Sequence, residues 1–190
     1  MNLFNLFGNK SFPHGIHPDE YKEETKTKVT RRLPFAPEII VPLAQSIGRP
    51  AKAIVFRGQH VKRGEIIAEA DGFMSVPIHS PVTGTIKAID IATTAKGGKD
   101  PAIFITTSLS SGQRVFDSGE RNNYLEMKPA ELVKAVQNTG MVGLGGAAFP
   151  THVKMAIPAD RTIHTVLVNG CECEPFLTTD HRVMLEKIDF

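Results

Sequence analysis

Between Ala51 and Thr107 five short runs rich in β-branched residues succeed one another at near-regular intervals: AKAIVF, EIIAEA, MSVPIHS, TIKAIDIA and PAIFITT. They are parted by RGQHVKRG, DGF, PVTG and TAKGGKD, all of it turn chemistry. Just upstream, LPFAPEIIVPLAQ carries Pro34, Pro37 and Pro42, which break a helix but permit short extended pieces at a sheet edge. This spacing confines residues 31–110 to a compact all-β unit, and residues 1–30, which lack a sustained apolar period, to an extended N-terminal arm.

From residue 116 the period changes. In KPAELVKAVQNTG, Pro129 suits a first helical turn, Leu132, Val133 and Val136 form one apolar stripe, and Gly140 can end the helix. After a glycine-rich stretch, RTIHTVLVNG reads as a buried strand ending at Asn169 and Gly170. TTDHRVMLEKI reads as a closing helix capped by Thr179 or Asp180. Helix, loop, strand, loop, helix over 116–190 is the start of an α/β layer, and a single strand makes only part of a sheet. The fold class expected is therefore mixed, α+β: an all-β unit followed by a partial α/β domain.

The 190 residues are 41% hydrophobic and 22% charged, enough for a buried core. A net charge of +2 gives no clustered basic field for nucleic acid. Apolar runs such as residues 39–41 and 166–168 are far shorter than the roughly 18 residues that span a bilayer. The opening MNLFNLFGNKSF has no basic residue before its apolar patch and no small-residue cleavage site, so it is not read as a secretory signal; a short amphipathic foot or a frayed end are the two readings. Cys171 and Cys173 stand one residue apart, too close for an ordinary disulfide framework and too few for a closed metal site, and a reducing cytoplasm suits them.

The segment Val55 to Ile89 resembles the barrel-sandwich hybrid of biotinyl and lipoyl carrier domains. RGQHVKRGE matches their step into a strand, and HSPVTGTI their exit hairpin, where Gly84 is expected to supply the freedom of a tight turn. Carrier domains modify a lysine at the hairpin tip. Here the tip is Asp71, Gly72 and Phe73, and no lysine lies between Lys62 and Lys87, so the fold is kept and the swinging-arm chemistry dropped. His60 and His79 read as ordinary polar residues, since no cysteine or carboxylate cluster stands near them at metal spacing.

In GMVGLGGAAFPTHVKM, residues 140–155, Gly143, Gly145 and Ala148 fit one form of the dinucleotide fingerprint, but a helix precedes them where a strand should, and no G-K-[ST] ending makes a Walker loop. The glycines still allow backbone N–H groups to approach an anion, with Lys154 adding charge; a plain flexible turn is the alternative. VNGCECEP then offers the amide of Asn169 and the carboxylates of Glu172 and Glu174 at a predicted strand end, where open α/β sheets bind ligands, although exposed solvated charges would look the same. Two cysteines alone do not hold an iron–sulfur cluster.

These motifs in this order, FPHGIHP, EADGFMSVPIHSPVTGTI, GMVGLGGAAFPTHVK and VNGCECEP, resemble the family of the C subunit of the Rnf electron-transport complex, over residues 12–186. More distantly they are similar to the flavin-bearing NADH-binding subunit of respiratory complex I and to cobalamin reductases. The resemblance implies a barrel-sandwich hybrid followed by a Rossmann-like FMN/NADH-binding domain. It also implies a peripheral subunit on the cytoplasmic face of the membrane, exchanging hydride with NAD(H) and electrons, through [4Fe–4S] clusters, with membrane subunits and ultimately ferredoxin. By the same resemblance FMN is held at Gly143, Gly145, Gly146, Ala147 and Lys154, Asn169 and Glu172 face the flavin, and Phe149 and Glu174 border the nicotinamide nucleotide. Against the complex I pattern, Leu144 replaces an arginine, Ala148 a glycine and Cys171 an aspartate. The family's cluster-binding cysteines are expected beyond Phe190. A docking module of such a complex, without catalysis of its own, is the competing expectation.

Overall fold

The computed structural model describes residues 18–95, 97–116, 123–144, 147–158, 160–172 and 174–186. The apolar patch at residues 3–7 lies outside them. The chain divides into two compact units, Leu33–His164 and Met1–Arg32 with Thr165–Phe190.

In the larger unit the strands are β1 (Glu38–Pro42), β2 (Lys52–Ala53), β3 (His60–Val61), β4 (Ile66–Glu69), β5 (Ile78–His79), β6 (Gly84–Thr93), β7 (Lys99–Thr107), β8 (Val142–Gly143) and β9 (Phe149–Pro150). Two helices, α1 (Pro129–Asn138) and α2 (Thr151–Met155), flank the last pair. One sheet runs β1-β7-β6-β3 and another β2-β4-β5, with every pairing antiparallel. Both contribute to one apolar cluster: Val41, Val61, Ile86, Ile103 and Ile105 from the first, Ile67, Ala68 and Ile78 from the second. Fully burying each valine or isoleucine of this cluster contributes about 1.5–3 kcal/mol, so this interior is the main source of the unit's stability. The all-β expectation thus holds, and RGQHVKRG, read as a turn, contains the two-residue strand β3 as well.

Glycine at position 84 has a reason other than the one expected. Gly84 opens β6 with an ordinary backbone, and a Cβ there would lie 2.3 Å from Thr106 O of the paired strand. Close approach of β6 to β7, not turn geometry, requires the missing side chain. At the sheet's edge, Thr107 N–H donates to Pro37 O and Leu43 N–H to Pro101 O, each at 2.9 Å. These bonds set the phase of the ladder: residues 37, 39, 41 and 43 turn toward β7, and Glu38, Ile40 and Pro42 turn their backbone groups outward.

Helix α1 begins at Pro129 as expected, and the Glu131 carboxylate accepts from Lys128 N–H at 2.8 Å across its first turn. Gly140, at φ +72°, ends it in the left-handed region.

In the smaller unit, residues 22–24 form a 3-10 turn and α3 (Thr179–Glu186) closes the described chain. The described part of the expected arm is folded against the later segment: Phe176 N–H donates to Glu20 O at 2.8 Å, and Tyr21 stacks on Phe176 with centroids 5.0 Å apart. Arg182 is paired to Glu186, which also accepts from Thr30 N–H. The expected buried strand in RTIHTVLVNG, ending at Asn169 and Gly170, is not one. Those residues have no strand partner among the described residues, and Val166, Leu167 and Val168 are 81%, 90% and 90% exposed. A parallel strand is stable when neighbours pair with both edges and cover both faces; none is described here.

Candidate functional site

The glycine stretch is a hairpin. β8 pairs with β9 in the register Val142 with Pro150 and Gly143 with Phe149, and Thr151 N–H donates to Met141 O at 3.0 Å to close its base. The same ladder turns Gly143 N–H toward Phe149 O. What Gly143 contributes to its surroundings is space: a Cβ there would lie 2.9 Å from Lys154 Nζ. The ammonium of Lys154, the exposed end of a flexible side chain on α2, therefore lies beside the hairpin at Gly143. Ala148 takes φ +49°, a left-handed backbone that costs a residue with a Cβ roughly 1–2 kcal/mol, and its carbonyl accepts from Ile47 N–H at 3.2 Å. Leu144 is exposed, Phe149 half-buried and Pro150 buried. Of the other expected ligands, Ala147 is exposed in the loop, and Gly145 and Gly146 lie outside the described residues.

Both ends of the hairpin are fastened to the tip of the barrel-sandwich hairpin. Gln137, buried in the last turn of α1, donates through Nε2 to Gly72 O at 3.0 Å and Ser75 O at 2.9 Å. His152, fully buried on α2, places Nε2 2.7 Å from Phe73 O and its ring edge-on to Phe73 with centroids 5.2 Å apart. Since a carbonyl only accepts, His152 carries its proton on Nε2. Its Nδ1 is buried with no partner among the described residues, as is Ser75 Oγ. An unsatisfied buried acceptor of this kind costs about 1–3 kcal/mol. On the tip's flank, Asp71 accepts from Lys52 at 2.9 Å, and that bond holds its carboxyl below the usual carboxylate range.

The second cluster lies in the smaller unit. Asn169 Oδ1 accepts from Cys171 N–H at 2.9 Å, an Asx turn that leaves its amide N–H groups without a partner among the described residues. Glu172 Oε1 accepts from Asp180 N–H at 2.7 Å and so caps the first turn of α3, and Glu172 O accepts from Lys22 Nζ at 2.6 Å. Glu174 is exposed and partnered. Cys171 is an exposed free thiol, and Cys173 lies outside the described residues. Among the described residues no group of three or more His, Cys, Asp or Glu is arranged to hold a metal. No helix among them is long and apolar enough to cross a membrane. The glycine hairpin and the Asn169–Glu174 cluster belong to different units, and each is described by itself.

His79 lines an open cleft of about 340 Å³ with Ile39, Val41, Pro77 and Gly140, and no other titratable side chain lines it among the described residues. Burial pushes its imidazole below the ordinary histidine range. The unfolded chain then takes up the proton first as pH falls, so this group removes stability as pH drops through the ordinary histidine range and has no effect well above it. Thermal unfolding across that range should show a slope that His79→Gln flattens; an unchanged slope would exclude His79 as its source.

Similarity to known proteins supplies the frame for these residues. The family model described as the RnfC barrel sandwich hybrid domain matches residues 10–109, more than half of the chain. The chain belongs to the RnfC family. A second family model, the Nuo51 FMN-binding domain, matches residues 136–189. Within the RnfC frame the first match covers both sheets of the larger unit, and the second runs from the last turn of α1 through the glycine hairpin to the end of α3. RnfC relatives include the C subunit of the proton-translocating ferredoxin:NAD(+) oxidoreductase complex of Clostridium ljungdahlii, 37% identical over 95% of this chain and 39% of the relative. Its Na(+)-translocating counterpart in Acetobacterium woodii is 40% identical over 94% and 40%. The C subunit of the ion-translocating oxidoreductase complex of Haemophilus influenzae (strain PittEE) is 33% identical over 100% and 29%. The chain thus spans two fifths or less of the length of these RnfC relatives.

Sequence reasoning placed Gly143 and Lys154 in one site, and the hairpin brings them together. It missed Gln137 and His152. His152 stands in plain view as the H of FPTHVK, but nothing local says that its ring is buried or that its partner lies 79 residues earlier.

Proposed function

We propose that this chain supplies the FMN-binding portion of a peripheral subunit of an Rnf-type complex on the cytoplasmic side of the membrane. There it serves electron exchange between NAD(H) and, through iron–sulfur clusters elsewhere in the complex, ferredoxin. The observation that carries this is the approach of Lys154 Nζ to 2.9 Å from where a Cβ on residue 143 would lie, within the stretch matched by an FMN-binding family. An exposed ammonium beside a glycine loop fits a phosphomonoester, which charge-assisted hydrogen bonds and backbone donors hold best.

In this reading Gly143 keeps the space open, Lys154 faces the phosphate, and the amides of Gly145, Gly146 and Ala147 line the loop. Asn169, through its amide donors, and Glu172 face the flavin ring, and Phe149 and Glu174 border the nicotinamide nucleotide. Bound FMN would supply the exchange between two-electron and one-electron transfer. The chain's own residues bind it and orient it.

A docking role without catalysis has its own support. Asn169 Oδ1 and Glu172 Oε1 are both spent on local structure, and residues 166–168 stand exposed where a nucleotide-binding sheet would bury them. Titrating the 190-residue chain with FMN, then adding NADH, separates the two. Saturable quenching of flavin fluorescence followed by bleaching of the flavin absorbance supports the cofactor reading, and absence of saturable quenching leaves docking.

A further inference from the structure

We propose that Gln137 and His152 are positioning residues, which register the glycine hairpin on the tip of the barrel-sandwich hairpin; the inference rests on reading residues 140–155 as a flavin loop. The tip with the residues that follow it, 72–75, is the part of this architecture that a carrier domain would present to solvent. Here all four of its carbonyls accept: Gly72 and Ser75 from Gln137 Nε2, Phe73 from His152 Nε2, and Met74 from Arg49 N–H at 3.1 Å. The segment holding Met74 also holds the loop, since Ile47 N–H reaches Ala148 O. That segment is pressed so close to the tip that a Cβ on Gly48 would lie 1.7 Å from Met74 O. The tip acts as a peg for its neighbours while Gly72 and Phe73 stay exposed.

Position in the chain gives the contacts their meaning. Gln137 lies three residues before Gly140, where the hairpin stretch begins, and His152 two residues after Pro150, where β9 ends. One peg therefore fixes both ends of the loop, and through α2 it fixes Lys154, two residues beyond His152. Stability alone does not explain the histidine: its Nδ1 is buried without a partner among the described residues, a cost that leucine would avoid. What the imidazole adds is direction, a donor held on Phe73 O that sets the rotation of α2 and the reach of its lysine. Buried polar contacts of this sort specify one arrangement among several of similar stability.

The test compares the 190-residue chain with His152→Leu, His152→Gln and Gln137→Leu. Glutamine places an Nε2 donor at a reach close to that of the imidazole. The readouts are amide hydrogen exchange over residues 141–155, FMN affinity by fluorescence quenching, and the thermal midpoint. His152→Leu should raise exchange in the hairpin and weaken FMN binding about tenfold each while leaving a cooperative transition, and His152→Gln should restore both to within about twofold. Gln137→Leu should raise the same exchange from the other end and decides the matter if His152→Leu does not fold. Unchanged hairpin exchange in the leucine variants, no rescue by glutamine, or faster exchange with unchanged FMN affinity would each overturn the proposal. If the wild-type chain binds no FMN, the cofactor reading fails by itself, and the exchange data still decide whether the two residues register the hairpin.

Discussion

Ile103→Ala should lower the unfolding free energy by about 3 kcal/mol, a change of roughly a hundredfold in the folding equilibrium. Ile103 is fully buried at the middle of β7, opposite Val41 of β1 on one side and Ile89 of β6 on the other. Its side chain joins the cluster to which both sheets contribute, so removing three carbons leaves a space that two antiparallel ladders hold open. Urea denaturation followed by far-ultraviolet dichroism measures it. A loss under about 1 kcal/mol would mean that the barrel collapses onto the gap, and would contradict a rigid two-sheet interior.

The second large effect is expected at Lys154. Charge-assisted hydrogen bonds contribute about 1.5–3 kcal/mol, so Lys154→Met should weaken FMN about 10- to 100-fold at low salt, with little change in the thermal midpoint because the side chain is exposed. Riboflavin, which lacks the phosphate, is the control: its affinity should be the same for both chains. Equal loss for FMN and riboflavin would move the lysine from the phosphate to the ring, and no loss for either would remove it from the site.

Much of the larger unit was legible because its runs alternate and its turns carry glycine and proline, and local chemistry of that kind is written in adjacent residues. What escaped was either very short or decided from afar. β3 has two residues inside a turn-rich stretch, and α2 has five, beginning straight after Pro150. The apolar residues 166–168 have strand propensity, but a strand is a relation between segments, and no neighbour is described for them. Gly84 was correctly singled out and wrongly explained, because the atom that forbids its side chain, Thr106 O, is 22 residues away in sequence. The site divides in the same way. Gly143 and Lys154 are eleven residues apart and foreseeable, whereas Gln137 and His152 act on carbonyls more than sixty residues earlier.

The outward phase of β1 bears on how this protein behaves at high concentration. A sheet border is a template on which another chain can add hydrogen bonds, and the border here presents Glu38, Ile40 and Pro42. Proline has no N–H to give, and its carbonyl is already taken by Gln45 Nε2 at 2.9 Å. Glu38 brings a carboxylate that an incoming strand would have to accommodate beside its ion pair with Lys87. Glu38 and Ile40 keep their outward donors and acceptors, and two residues running into a proline make only a short template. The prolines that keep this segment from becoming a helix therefore also blunt its use as a site of self-assembly.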